Sequence, residues 1–143
     1  MTHSALPDPS TPFGERVRRR LADEQIIWLT TVSKDGTPQP NPIWFVHEDE
    51  HVLLYNGGDV KRIAHIAANP RVALNFDGDG KGSDIVVITG TARVVDDALL
   101  PHQNPAFVAK YRRGMERMYG TIEHFTETHP VAIRVEFGKV RGF

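Results

Sequence analysis

The chain contains no cysteine in its 143 residues. That excludes a disulfide framework, a thiolate-bound zinc or iron–sulfur site and a thiol nucleophile. It fits a reducing compartment, and a cytoplasmic location is the expectation. An excess of one charge is also missing, since 17 Lys and Arg stand against 18 Asp and Glu. A duplex-binding protein carries a basic surplus, so nucleic acid is not an expected partner. No apolar run approaches the roughly 18 residues that a membrane span needs. Met1 to Pro12 holds three prolines and lacks the basic-then-apolar order of a secretory signal. It reads as a flexible tail ahead of one domain over 13–143.

Familiar catalytic signatures are scarce as well. None of Ser4, Ser10, Ser33 and Ser83 sits in a Gly-x-Ser-x-Gly elbow. A Walker A loop is absent. His47 and His51 flank a turn instead of sharing a helix face, so they read as surface histidines. The Asp77–Asp84 loop lacks the twelve-residue order of a calcium loop.

What is present is an ordinary globular composition, 40% hydrophobic and 24% charged, enough for one core. Thr11 and Pro12 suit a helix start, and Val17 and Leu21 share one face of a helix over Phe13–Asp23. Its arginines 16, 18, 19 and 20 either form a solvated face or border an anionic groove. Gln25–Ser33 is rich in β-branched and aromatic residues, and the Asp35-Gly36 turn leads to a partner strand over Pro38–His47. Prolines at 38, 40 and 42 demand an edge, a bulge or a split between sheets there. Ile43–Val46 reads as buried strand, followed by a third strand over Val52–Asn56.

Gly57-Gly58 ends that strand, and Asp59 suits the cap of a helix whose Val60, Ile63, Ile66 and Ala67 share a face. Asn69-Pro70 stops it. Strands follow over Arg71–Phe76 and Ile85–Val95, with Gly90 marking a bulge or a close backbone approach. Asn104-Pro105 begins a helix lined by Phe107, Tyr111, Met115 and Met118. A short helix at Thr121–Glu127 and a strand at Val131–Val140 complete the chain. A βαβ-like crossover is conceivable around the helix at 60–68. The series is mainly β with α, and six or so short strands favour a closed or split antiparallel barrel over a doubly wound sheet.

Two local arrangements suggest ligand chemistry. Asn56-Gly57-Gly58-Asp59-Val60-Lys61-Arg62 runs a strand through glycines into a helix start with two cations in its first turn. Cations sit poorly at a helix N-terminus unless an anion joins them, so a phosphate site competes here with a plain capped helix. Gln39 to Trp44 is pinned by proline, and a planar ligand stacked along it competes with a proline-protected edge strand.

The run Trp28 to Phe45 resembles the opening hairpin of the split β-barrel flavin and deazaflavin oxidoreductases, the pyridoxamine 5′-phosphate oxidase-like superfamily. Lys61 to Val72, KRIAHIAANPRV, is similar to that family's phosphate-site helix. Gly80–Gly90, Tyr111–Met115 and the terminal Val140-Arg141-Gly142-Phe143 are more similar to its small branch dependent on coenzyme F420. The resemblance spans about residues 15–143. It implies a six-stranded antiparallel split β-barrel with a few short helices (the FMN-binding split barrel), paired as a homodimer with cofactor sites at the interface.

It further implies that Gln39, Asn41, Pro42, Ile43 and Trp44 meet the cofactor ring. Asn56, Gly57, Lys61 and Arg62 would hold its phosphate, and part of Lys81–Asp84 would reach the partner's ring. Relatives usually carry Lys where Arg62 stands and Ser or Thr in the preceding loop; here the cation is kept and the hydroxyl is not. The implied activity is an oxidoreductase passing hydride from reduced F420 to a small organic acceptor with an activated double bond. FMN in place of F420, or a protein that binds the cofactor without turnover, are the alternatives. No catalytic side chain is implied; the proton source is solvent, Tyr55 or a histidine. The lactyl-oligoglutamate tail of F420 calls for a basic groove beyond Lys61 and Arg62, with the arginines at 16 and 18–20 as candidates. The Arg-x-His that binds substrate phosphate in pyridoxamine phosphate oxidase proper has no counterpart near the C-terminus.

Overall fold

The computed structural model describes residues 4–58 and 61–143. The Asp59 cap and the place of Val60 on its helix therefore lie outside the described residues. Thr11 caps α1 (Pro12–Asp23) by accepting from the Gly14 N–H, and Val17 and Leu21 turn into the core. Two hairpin strands follow, β1 (Ile27–Val32) and β2 (Pro38–Ile43), joined through Gly36 at φ 90°. Then come β3 (Val46–Glu48), β4 (His51–Asn56), α2 (Lys61–Ala68), β5 (Arg71–Asn75) and β6 (Val86–Val95). A 3-10 turn at Pro101–Gln103, α3 (Pro105–Tyr119), α4 (Ile122–Thr128) and β7 (Val131–Gly142) finish the chain.

All seven strands make one antiparallel sheet in the order β2-β1-β5-β6-β7-β4-β3. Its two edges, β2 and β3, are consecutive in the chain and only Trp44 and Phe45 separate them. The sheet must therefore curl until its edges meet, and the result is a split barrel. The expected second strand over Pro38–His47 is cut in two at this seam, which turns six strands into seven. Proline at 38, 40 and 42 removes N–H groups that an edge strand can spare. Phe45 at the seam is fully buried, and its backbone groups turn to α3 instead of a ladder. Tyr111 Oη accepts from Phe45 N at 2.9 Å, and Lys110 Nζ donates to Phe45 O at 3.1 Å.

The barrel interior holds Leu29, Ile43, Phe45, Val52, Leu54, Leu74, Ile88, Ile133 and Val135 among others. A second cluster, including Leu53, Tyr55, Phe107, Tyr111, Met115 and Phe125, packs α3 and α4 on the outer face of β3, β4 and β7. This is why β4 is buried on both faces and does not alternate. Gly90 meets both halves of its expectation. The β6–β7 register shifts between Thr89 and Gly90, and a Cβ on Gly90 would lie 2.1 Å from Glu136 O.

Several expectations change. α2 joins β4 to β5, which lie three places apart in the sheet and run in opposite directions, so no βαβ unit forms. On α2 Ile66 is buried, Ile63 is half-buried, and Ala67 faces solvent. The described part of the stretch read as a flexible tail is held on the barrel. Ser4 Oγ and Ala5 N donate to the Glu50 carboxylate, Leu6 enters the core, and Arg18 donates to Pro7 O.

Candidate functional site

The end of β2, the end of β4 and the start of α2 converge beside the seam. There they bound a cleft of about 380 Å³, within the size range of small-molecule sites. Of the residues singled out from the sequence, Pro42, Ile43, Trp44, Asn56, Gly57 and Arg62 line it. Gln39, Asn41 and Lys61 do not. Asn41 and Lys61 are exposed, and Gln39 lies further back on β2 opposite Thr31.

Arg62 is the cation the fold turns into this cleft. Its guanidinium is half-buried and bonds Asn56 Oδ1, whose own residue is 3% exposed at the end of β4. Desolvation draws the Arg62 pKa below its ordinary value. Among the described residues no carboxylate pairs with it. A half-buried guanidinium held in place by a neutral amide keeps donors for an incoming anion. Lys61, the other cation of the pair, stays in solvent, where its charge is screened.

The opposite wall comes from residues whose part in a site the sequence did not announce. Met118 is 60% exposed and faces the cleft instead of the core, because the buried stripe of α3 ends at Met115. Tyr119, Phe125 and His129 line the same wall. His129 stacks on Phe125 at 4.3 Å between centroids with planes 3° apart, and Tyr119 meets it edge-on at 5.3 Å. Thr128 Oγ1 donates to Phe125 O at 3.0 Å and stands 2.8 Å from His129 Nδ1. That chain favours a proton on Nδ1 and leaves Nε2 as the acceptor. Burial lowers the His129 pKa, so the ring is neutral around pH 7. The one-turn spacing of Phe125 and His129 was the available signal for this pair.

Tyr55 also borders the cleft, but its hydroxyl is committed. It donates to Leu99 O at 2.6 Å and accepts from Asn104 Nδ2 at 3.1 Å, and burial raises its pKa. As a proton source it is disfavoured. The α1 arginines do not extend the cleft either. Arg20 donates to Asp77 O and Asp84 O, Arg16 pairs with Asp84 at 3.3 Å, and Arg19 bonds Glu15. Arg16 and Arg20 thus tie the 77–84 loop to α1, and Arg18 on Pro7 O ties down the segment before the helix.

The family model described as pyridoxamine 5′-phosphate oxidase matches residues 13–139. The chain belongs to the pyridoxamine 5′-phosphate oxidase family. No curated protein matches it. Solved structures of this family's fold superpose over most of the chain. A conserved hypothetical protein from Mycobacterium tuberculosis, Rv2991, is 16% identical, covers 99% of this chain and 88% of its own, and gives a TM-score of 0.71. A FAD-binding protein from Mesorhizobium loti is 22% identical with 88% of each chain covered and a TM-score of 0.64. A protein described as an F420 reductase is 21% identical, covers 87% of this chain and 94% of its own, and gives a TM-score of 0.63. At these identities the likeness is one of fold.

Proposed function

We propose that this pyridoxamine 5′-phosphate oxidase family member is an oxidoreductase that binds coenzyme F420 in the cleft beside the seam. It would pass hydride to a small organic acceptor with an activated double bond. The observation that carries the reading is Arg62, a half-buried guanidinium with no carboxylate partner among the described residues, fixed by Asn56 in a cleft walled by β2. Its donors suit a phosphate, and Gly57, which lines the same cleft, has no side chain to stand between a ligand and the backbone. Pro42, Ile43 and Trp44 would position the ring, with Gln39 and Asn41 further along the same edge. Lys61, exposed at the same helix start, would meet the tail carboxylates.

The bound deazaflavin supplies the hydride chemistry. The chain's residues supply position and dryness. Met118, Tyr119, Phe125 and His129 line the same cleft as Arg62 and would cover a ring bound there. His129, neutral and with Nε2 available as an acceptor, is the histidine placed to exchange a proton with a ligand there. A homodimer with cofactor sites at the interface would complete each cleft, with part of Lys81–Asp84 reaching across. A cytoplasmic location agrees with this chemistry.

FMN is the second reading, and one observation favours it. Arg16, Arg18 and Arg20, which could have held an anionic tail, are bound inward, and Arg19 pairs with Glu15 on the helix surface; FMN needs only the phosphate site. Fluorescence titration of the purified protein with F420 and separately with FMN separates the two. Tight F420 with weak FMN is the expected result; the reverse order moves the protein to the flavin reading. Acceptor-dependent oxidation of the bound reduced cofactor is the expected sequel. None across a broad acceptor panel would leave a cofactor-binding protein without turnover.

A further inference from the structure

The cleft leaves one built feature of the molecule unused. A second groove, of about 620 Å³, runs between α3 and the segment entering β1, and Trp44 lines it as well as the cleft. Four α3 cations border it, Lys110, Arg112, Arg113 and Arg117, and no carboxylate among the described residues does. Arg112 reaches Glu116 at 3.8 Å; Arg113 and Arg117 have no ion-pair partner among the described residues. Lys110 lies over the Phe45 ring at 3.8 Å, and Asp23 and Glu24 are the acids whose charges act on it. Complementing the helix dipole accounts for Arg117 in the last turn of α3. It does not account for a row of cations along one groove in a chain of net charge −1.

The rest of the lining, Gln25 aside, is Ile26, Trp44, Ala109, Tyr111 and Gly114. Ile26 is 38% exposed at the groove and offers an apolar surface there. Trp44 stacks in parallel on Tyr111 at 4.7 Å with planes 9° apart. Gly114 lets that indole lie against the helix, since a Cβ there would stand 2.8 Å from Trp44 Cη2. Guanidinium groups at 113 and 117 are one turn apart on the helix and match a carboxylate in two-pronged fashion. Indole and isoleucine beneath them match an aromatic ring.

We propose that this groove is a second ligand site, taking a planar aromatic carboxylate whose ring lies on Ile26 and Trp44 and whose charge is held by Arg113 and Arg117. Because Trp44 borders both cavities, an occupant of the groove touches the same side chain that walls the cleft. The site stands independently of which cofactor the cleft binds.

The test uses the full chain with Trp28→Phe, so that Trp44 is the sole tryptophan. The probe is 2-naphthoate, followed by Trp44 fluorescence in cofactor-free protein, with 2-naphthamide and inorganic phosphate as comparators. The expected result is saturable quenching by 2-naphthoate, weakened at least tenfold by Arg113→Gln with Arg117→Gln and unaltered by Arg62→Ala. Affinity should fall several-fold between 50 and 500 mM NaCl. Equal binding of 2-naphthamide, equal competition by phosphate, or loss on Arg62→Ala with retention in the arginine pair would each overturn the proposal. If the double variant unfolds, Arg117→Gln alone must still weaken binding at least threefold. Groove binding in a protein that takes neither F420 nor FMN would uphold this site and remove the cofactor reading. Cofactor binding without any naphthoate response would do the reverse.

Discussion

The phenol oxygen of Tyr111 serves both backbone polar groups of Phe45. It accepts from Phe45 N at 2.9 Å, and its proton lies between Phe45 O at 2.9 Å and Gln25 O at 2.8 Å. Phe45 is the residue at which the sheet changes edge, so this side chain does at the seam what a ladder does elsewhere. Burial pushes the Tyr111 pKa well above its ordinary value, against the opposing pull of its backbone hydrogen bond with Phe45. Tyr111→Phe keeps the ring stacked on Trp44 and tilted against Phe107 but leaves the buried Phe45 N–H without its acceptor. The expected cost is about 1–3 kcal/mol in urea unfolding. A loss below about 0.5 kcal/mol would mean that the seam does not depend on this bond.

Arg62 and Lys61 should separate cleanly in a binding assay. Arg62→Ala removes the half-buried guanidinium and is expected to weaken the cleft's cofactor by about 2–3 kcal/mol, roughly 30- to 150-fold. Lys61→Ala removes an exposed, screened charge and should cost about 0.5 kcal/mol at most. Isothermal titration with F420 and FMN at one salt concentration reads both. Equal losses in the two variants would contradict the placement of Arg62 in the cleft and Lys61 outside it.

Much of this molecule is legible in its residues, and the reasons for the remainder are physical. Thr11 and Asn104 announce their helices by capping chemistry, and Gly90 announces a close approach, because these signals are local. The break of the second strand at Trp44-Phe45 is not local. It depends on Tyr111 and Lys110, more than sixty residues away, offering the hydrogen bonds that allow a strand to stop. The arginines of α1 read as a possible groove because sequence shows charge and not partners. Their partners are the carbonyl oxygens of Pro7, Asp77 and Asp84 and the carboxylates of Asp84 and Glu15, a pairing invisible in composition. In the same way Asn56 and Arg62 stand out as a pair at a strand–helix junction, while His129 gains its place in the cleft only when α4 packs against α3.

Lys110 makes stability depend on pH in a defined window. Burial lowers its pKa from 10.5 to about 8, against the opposing pull of Asp23 and Glu24. Between those values the unfolded chain binds the proton and the folded one releases it, so this group adds stability as pH rises from about 8 toward 10.5. Below pH 8 both states are protonated and the cost of burying the charge is felt in full. Lys110→Met keeps an apolar stem over Phe45 and abolishes that titration. The urea midpoint of the parent, measured against Lys110→Met at pH 7 and pH 9.5, should gain on the variant at the higher pH. A constant difference would show that Lys110 titrates normally.

Gly114 and Trp44 set the last expectation, because two effects of opposite sign meet there. Replacing a glycine inside a helix by alanine ordinarily stabilises by about 0.5–1 kcal/mol. Here the new Cβ would stand 2.8 Å from Trp44 Cη2 and 3.0 Å from Cζ2, so the indole must move. It cannot move freely, being stacked on Tyr111 and on Phe125, at 4.7 and 5.6 Å between centroids. The propensity gain and the strain of shifting a packed ring are of similar size, the latter about 1–3 kcal/mol. Gly114→Ala should therefore change stability by no more than about 2 kcal/mol while altering both cavities that Trp44 borders. In a Trp28→Phe background this reads as a shifted Trp44 emission maximum together with weaker cofactor binding in the cleft. Unchanged emission with stability raised by the full helical increment would show that the indole yields at no cost, and that Trp44 does not couple the cleft to the groove.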